Sequence, residues 1–176
     1  MYPYNSNLSK TANNTKPKAN SSVKPSAISK AANISNGNNG ETSKILAMIE
    51  EALGDELHDY EYYRQLHSLF DDANDKEIIR HISLDELKHK KMLEELYRKI
   101  SGKDAPVPNI QEVKISRNLL EEISKSIANE YEGSTFYRTL YFLFQNPEYR
   151  DIIFEIMNDE LIHAGKLTYL YAKNRL

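Results

Sequence analysis

Apolar residues recur every three or four positions over four long stretches of the chain, which is the period of an α-helix with one buried face. The stretches run from about Ser43 to Phe70, Asn74 to Ile100, Ser116 to Gln145 and Pro147 to Asn174. No segment alternates apolar and polar residues in the way that a half-buried strand does. We therefore predict an all-α domain.

Short polar segments separate the helices. Thr42 or Ser43 can cap the first helix, and Asn146 followed by Pro147 is typical of a helix start. The turn inside each pair of helices is short, which predicts two antiparallel hairpins. The segment of about 15 residues between the hairpins can extend over roughly 50 Å. We expect it to form a long crossover between helices two and three, although a looped connection stays open.

The two hairpins repeat each other in sequence. Residues 52–97 align with residues 126–171 without a gap, at a spacing of 74 residues, and 16 of the 46 positions are identical. The pentapeptides at 85–89 and 159–163 both read Asp-Glu-Leu-x-His. We therefore expect a four-helix bundle in which each hairpin contributes corresponding residues to a shared site.

Composition changes near residue 40. Residues 1–40 contain nine Asn, seven Ser, five Lys and no acidic residue. The segment has too few apolar groups to offset the entropy that it would lose on folding. We therefore expect residues 1–40 to form a disordered tail and residues 41–176 to form the folded domain. That domain carries 18 basic and 26 acidic side chains, which argues against nucleic acid as a partner.

Several classes of protein are excluded by what the sequence lacks. The chain contains no cysteine, so it forms no disulfide and no thiolate metal site. No apolar run approaches the roughly 18 residues of a membrane-spanning helix, and the first residues contain no apolar signal-peptide segment. We therefore expect a cytoplasmic protein without a membrane span.

Six ionisable side chains fall on the apolar faces of the helices. They are Glu56, Glu86, His89, Glu130, Glu160 and His163. An unpaired buried carboxylate costs several kcal/mol, and no Lys or Arg lies on the same faces to pair with these acids. At a rise of 1.5 Å per residue, Glu56 and Glu86 lie within about 6 Å of the same height in the first hairpin. The repeat gives the second hairpin the same geometry, so the six side chains can converge.

The chemistry of these six groups predicts a metal centre. Oxygen and imidazole ligands without thiolate suit iron or manganese, and zinc can also bind to them. Four carboxylates and two neutral imidazoles carry a charge that two divalent cations neutralise. We expect Asp85 and Asp159 to accept the free ring N–H groups of the histidines. Symmetry suggests a crossed pairing, Asp85 with His163 and Asp159 with His89.

A Glu from each of two helices and a Glu-x-x-His motif from each of the other two resemble the ligand pattern of ferritin-like di-iron and di-manganese carboxylate proteins. The repeated hairpin and the compact size most resemble the rubrerythrin-like branch, over about residues 45–174. The resemblance implies two iron ions that react with hydrogen peroxide or dioxygen. It also implies that Glu86 and Glu160 bridge the metals, that Glu56 and Glu130 are terminal ligands, and that each histidine binds one metal.

Tyr63 and Tyr137 match a tyrosine that often lies beside such sites, where it donates a hydrogen bond or a transient electron. Two features depart from the family. Gly133 occupies a position where rubrerythrins carry a second Glu, and the chain has no cysteine-containing rubredoxin domain. Reducing equivalents must then come from a separate donor, such as a rubredoxin, or from Fe(II) itself.

The resemblance implies a dinuclear-iron oxidoreductase that reduces hydrogen peroxide or oxidises Fe(II), in oxidative stress or iron handling, and we expect a homodimer. Other readings stay open: a di-iron hydroxylase, a manganese catalase-like enzyme, or a non-enzymatic iron-storage or structural metal-binding protein of stress or spores. His58, His67 and His81 are not repeated as histidines, so we expect them not to bind metal.

Overall fold

Four long α-helices make up most of the chain between residues 39 and 175, the part that the computed structural model describes. They are α1 (Asn39–Leu66), α2 (Ala73–Ser101), α3 (Leu119–Leu143) and α4 (Pro147–Asn174), with a 3-10 turn at His67–Leu69. These residues contain no strand, so the prediction of an all-α fold is confirmed. The predicted tail lies outside the described residues, except that positions 39 and 40 belong to α1.

Polar side chains cap three of the helices. α2, α3 and α4 begin after Asp72, Asn118 and Asn146, and each of these side chains accepts a hydrogen bond from a backbone N–H of the first turn. α2 ends at Ser101 and is followed by Gly102, whose φ of 72° is a left-handed conformation that glycine adopts without strain. These local signals fix where the helices start and stop.

Three predicted helix ends are wrong by a few residues. α1 begins at Asn39, so Thr42 and Ser43 lie inside the helix and do not cap it. α1 also gives way to the 3-10 turn before Phe70, whose backbone is extended. α3 starts later than Ser116 because the side chain of Asn118 caps it.

The apolar core consists of two clusters, and each cluster contains side chains from all four helices. The first includes Ile49 and Leu53 of α1, Leu93 and Leu96 of α2, Leu140 of α3, and Ile153 and Ile156 of α4. The second includes Leu66 and Phe70 near the end of α1, Ile79 and Ile82 of α2, Ile123 of α3, and Leu167 and Leu170 of α4. Along α1 and α4 the residues of the first cluster precede those of the second, whereas along α2 and α3 they follow them. α1 and α4 therefore run in one direction, and α2 and α3 run in the other.

The connection between α2 and α3 runs from the first cluster to the second. Ala105 packs against the first cluster and Ile115 packs against the second. In between, the side-chain amide of Gln65 donates a hydrogen bond to the carbonyl oxygen of the buried Val113. The segment therefore crosses the length of the helical domain and does not loop back.

In the described part of the chain, no helix combines the length and the apolar composition that crossing a bilayer requires.

Candidate metal centre

The six side chains that the sequence singles out meet in the middle of the domain. On every helix they lie between the residues of the first apolar cluster and those of the second. They are Glu56 of α1, Glu86 and His89 of α2, Glu130 of α3, and Glu160 and His163 of α4. None exposes more than 6 % of its surface. The apolar clusters on either side therefore hold six ionisable groups away from water.

The donor atoms of these side chains form two groups, and within each group they lie within 4.8 Å of one another. The first group consists of Glu56, Glu86, His89 and Glu160, and the second of Glu86, Glu130 and His163. Glu86 belongs to both. Its Oε2 lies 3.1 Å from Nδ1 of His89, and its Oε1 lies 3.0 Å from Nδ1 of His163. The carboxylate of Glu86 therefore lies between two positions at which a cation can bind.

The remaining carboxylates complete the two groups unequally. Nδ1 of His89 lies 3.4 Å from Oε2 of Glu56 and 3.4 Å from Oε1 of Glu160. Nδ1 of His163 lies 3.4 Å from Oε2 of Glu130. Glu160 contributes to the first group alone. The two-sided arrangement expected of both Glu86 and Glu160 is thus present in Glu86 only.

Two aspartates contact the histidine rings between α2 and α4. Nε2 of His89 lies 3.2 Å from Oδ2 of Asp159, and Nε2 of His163 lies 3.2 Å from Oδ2 of Asp85. These are the crossed contacts that the symmetry of the repeat predicts. Each aspartate holds Nε2, so Nδ1 of each ring faces the carboxylates.

Two lysines that the sequence reasoning did not connect with the centre reach these aspartates from outside. Nζ of Lys88 donates to Oδ2 of Asp159 at 3.0 Å, and Nζ of Lys166 lies 3.8 Å from Oδ2 of Asp85. The hydrogen bond with His163 keeps the pKa of Asp85 below its usual value. The pKa of Asp159 is also lowered: burial raises it, but the contacts with His89 and Lys88 outweigh burial. Both aspartates are therefore held as anions.

Two tyrosines bind carboxylates of the two groups, in contacts between α1 and α3. The hydroxyl of Tyr63 donates to Oε1 of Glu130, and that of Tyr137 donates to Oε1 of Glu56. Burial raises the pKa of both phenols well above the usual value, so the phenols stay protonated as donors. In each glutamate, Oε1 is occupied and Oε2 is the oxygen nearer to a histidine.

Four buried oxygen and nitrogen atoms of these six side chains make no hydrogen bond within the described residues. They are Oε1 of Glu86, Oε2 of Glu130, Oε1 of Glu160 and Nδ1 of His163. Among the ion pairs of residues 39–175, none joins Lys or Arg to a carboxylate of the two groups. Unpaired buried oxygens are costly, so this donor set fits a divalent cation that accepts oxygen and imidazole ligands.

The titration of these groups reflects the same charge imbalance. Burial raises the pKa of the Glu56 and Glu160 carboxyls. Burial lowers the pKa of the His163 ring, but its contacts with Asp85, Glu130 and Glu86 outweigh burial and raise it to about 12. The pKa of His89 is likewise raised, by the carboxylates around it. Without metal, protons on the imidazoles and carboxyls therefore take the place of cations.

Two other buried acids, which the sequence reasoning did not single out, lack this imbalance. Glu122 exposes 3 % of its surface and accepts hydrogen bonds from the Tyr62 hydroxyl at 2.9 Å and from Lys125 at 3.2 Å. Asp75 exposes 1 % and accepts from Lys173 at 2.7 Å and from the amide of Asn174 at 3.0 Å. Each has protein donors of its own, so neither needs a cation.

The other histidines lie apart from the centre. Nδ1 of His58 lies 2.9 Å from Oδ1 of Asp59, and Nε2 of His81 lies 2.8 Å from Glu77. His67 belongs to the 3-10 turn that follows α1. None of the three belongs to either donor group of the described residues.

The crossed aspartates give a prediction that separates the two metal positions. Replacing Asp159 with Asn should lower the affinity for the ion beside His89 by about 10–100-fold, because the ring loses the anion that fixes its orientation. Asp85→Asn should weaken the ion beside His163 to the same extent. Co(II) titration followed by absorbance should then show that one ion binds more weakly in each single variant and that both ions bind more weakly in the double variant. Asp71→Asn, on the exposed turn before α2, is the control and should bind both ions as the wild type does. Wild-type affinity in the double variant would contradict the orienting role of the two aspartates.

Comparison with known proteins shows a fold and no function. No protein-family model matches the sequence, and no curated protein matches it. A hypothetical protein from Pyrococcus furiosus has a similar structure, with a TM-score of 0.62 and 22 % sequence identity. The match covers 74 % of this chain and 88 % of that chain. At this identity the likeness concerns the arrangement of the helices alone.

Proposed function

We propose that this chain is a ferritin-like dinuclear-iron oxidoreductase that reduces hydrogen peroxide or oxidises Fe(II). Its four helices form a bundle of two repeated hairpins, and the hairpins enclose one shared metal centre. The crossed contacts support this architecture, because Asp85, Asp159, Tyr63 and Tyr137 each bind a group of the other hairpin.

The observation that carries the proposal is the position of Glu86. Its two oxygens lie 3.1 Å and 3.0 Å from the Nδ1 atoms of His89 and His163, and the ring centroids of the two histidines are 5.8 Å apart. One carboxylate between two imidazoles, with terminal acids on both sides, is an arrangement for two adjacent ions. Each ion would be held by one histidine, one terminal glutamate and Glu86, and Glu160 would add a ligand beside His89.

Iron in this centre would supply one-electron exchange between Fe(II) and Fe(III), so that two ions together would match the two electrons that, with two protons, convert one hydrogen peroxide to two waters. The chain supplies the surroundings for that exchange. The apolar clusters exclude bulk water, and Asp85 and Asp159 hold the imidazole rings. The hydroxyls of Tyr63 and Tyr137 donate hydrogen bonds to Oε1 of Glu130 and Glu56, which leaves Oε2 of each glutamate for a cation.

The source of reducing equivalents lies outside the described helices. The chain contains no cysteine, so it has no rubredoxin-type iron centre of its own. We propose that a separate electron-transfer protein reduces the centre, or that Fe(II) itself is consumed as the reductant.

Anaerobic reconstitution tests the proposal. We expect about two Fe(II) per chain, because two divalent ions balance the charge of the four carboxylates, while the two imidazoles bind as neutral ligands. Stopped-flow absorbance should show faster oxidation with one equivalent of hydrogen peroxide than with dioxygen. Metal content no higher than trace after reconstitution would refute the metal centre. Two bound ions that react with neither oxidant would refute the oxidoreductase and leave a structural or storage role.

A further inference from the structure

A cleft between α1 and α3 leads from the surface to one half of the metal centre. Its volume is about 460 Å³, and its lining includes Glu56, Tyr137 and Glu160. Glu160 exposes only 6 % of its surface, and its Oε1 makes no hydrogen bond within residues 39–175. The cleft therefore ends at a buried carboxylate that has an unfilled acceptor.

Gly133 is the residue of α3 that brings the cleft this far inwards. A Cβ atom added at Gly133 would lie 3.0 Å from Oε2 of Glu160, closer than an ordinary van der Waals contact. Among the described glycines only Gly102 has a positive φ, so the backbone of α3 does not require glycine at this position. Glycine inside a helix is also less favourable than alanine. The missing side chain leaves room for the Glu160 carboxylate instead.

The two repeats differ at this opening. In the alignment of the hairpins the counterpart of Gly133 is Asp59, so a side chain is present where Gly133 has none. A neighbouring cavity of about 420 Å³ also touches Asp59, but its lining, which includes Tyr62 and Glu122, contains none of the six residues of the centre. Access through the α1–α3 cleft thus leads to Glu56 and Glu160 and not to Glu130.

The charge of the cleft suits a cation. Asp55 and Glu132 are exposed at its lining, and the half-buried Asp59 is paired with His58 at 2.9 Å. None of the lining residues is Lys or Arg, so carboxylates outnumber basic groups there. A cleft lined with one sign of charge concentrates ions of the opposite sign and raises their rate of entry. The acidic rim and the buried Glu160 together form a path of carboxylates from solvent to the centre.

We propose that the α1–α3 cleft is the entrance for divalent cations, and that the ion held by Glu56, His89 and Glu160 exchanges with solution before the ion held by Glu130 and His163. This inference rests on the dinuclear centre proposed above. It adds that the two positions, although built from a repeated sequence, differ in access.

The rate of Co(II) uptake by the metal-free protein tests this inference without any enzymatic assay. Wild-type protein should bind in two phases of absorbance change, one ion in each. Gly133→Ala should slow the fast phase by about tenfold, because its methyl group occupies the space beside Oε2 of Glu160. Gly165→Ala is the matched control: it also adds a methyl group to a helical glycine, but that methyl meets no atom within 4 Å. It should leave both phases unchanged.

A second variant tests the charge of the entrance and leaves all six ligands in place. The double change Asp55→Asn and Glu132→Gln should slow the fast phase by about tenfold at low salt, and the difference should shrink at high salt. Both positions are exposed, so the fold should tolerate the change.

The outcomes separate the entrance from the proposed function. Uptake by Gly133→Ala at the wild-type rate would overturn the entrance, and equal rates for the charge variant and the wild type at low salt would overturn its assignment to cations. A single uptake phase for both ions in the wild type would overturn the difference in access. A wild-type chain that binds no Co(II) would overturn the metal centre itself, whatever the variants do.

Discussion

Glu86→Ala should abolish the binding of both metal ions, with a loss of affinity greater than about 100-fold at each position. The reason is the shared carboxylate, whose two oxygens lie within 3.1 Å of Nδ1 of His89 and of His163. Metal analysis after reconstitution and desalting should find two ions per chain in the wild type and none in this variant. Glu86→Gln should give the same result, and since its side chain keeps the shape of Glu86, misfolding would not explain the loss.

Glu130→Ala and Glu122→Ala give the corresponding controls. Glu130 belongs to the second donor group only, so its loss should remove one ion and leave the ion beside His89. Glu122 is equally buried but has Tyr62 and Lys125 as donors, so its loss should lower stability and leave two ions bound. His58→Ala should also leave the final metal content unchanged. Equal loss of metal in all of these variants would contradict the assignment of the centre to particular residues.

The sequence was sufficient to predict the helices and the group of six side chains. Helical periodicity places Glu86 and His89 on the same face as Ile82 and Leu93, and burial of that face follows from its apolar residues. The gap-free repeat then predicts the crossed contacts, because the partner of a residue in one hairpin must have its counterpart in the other. Asp85 beside His163 and Asp159 beside His89 follow from that symmetry.

What the sequence did not reveal is where the two halves differ. The repeat predicts equal roles for Glu86 and Glu160, yet only Glu86 contacts both histidines, because the structure turns Oε2 of Glu160 toward Gly133. That turn depends on the space between helices, which no one-dimensional pattern contains. The contact of Lys88 with Asp159 was missed for a related reason: a long flexible side chain on the outer face of α2 reaches a group of α4.

The stability of the metal-free protein should fall as the pH rises from about 5 to 9. Glu56 and Glu160 have pKa values raised above that of an unfolded carboxyl, to about 8 for Glu56, so the folded state binds more protons than the unfolded state in this range. The raised pKa values of His89 and His163 act with the same sign, because their stabilisation is complete below about pH 6.5 and is lost as the pH rises. Each group contributes up to about 1.4 kcal/mol per pH unit while it titrates in one state only.

Glu86 acts in the opposite direction but outside this range. Burial raises its pKa, yet the close contacts with the imidazoles of His163 and His89 outweigh burial and lower it to about 2. Its contribution to stability is therefore present above about pH 4.5 and is lost only as the pH falls toward 2. The metal-free protein should consequently be most stable in mildly acidic solution.

Metal should reverse this dependence. Divalent cations need deprotonated carboxylates and neutral imidazoles, so binding strengthens as the pH rises and releases up to about four protons per chain at neutral pH. At free metal 100 times the dissociation constant, two sites add roughly 5 kcal/mol, which raises Tm by about 10–20 °C for a domain of this size. Thermal unfolding of metal-free and Co(II)-loaded protein across this pH range should give curves that diverge as the pH increases. Glu56→Gln should flatten the dependence of Tm on pH in the metal-free protein, and Glu122→Gln should not, since Glu122 already has hydrogen-bond donors from the protein. Parallel curves for the metal-free and the loaded protein would show that the buried carboxylates do not exchange protons for cations.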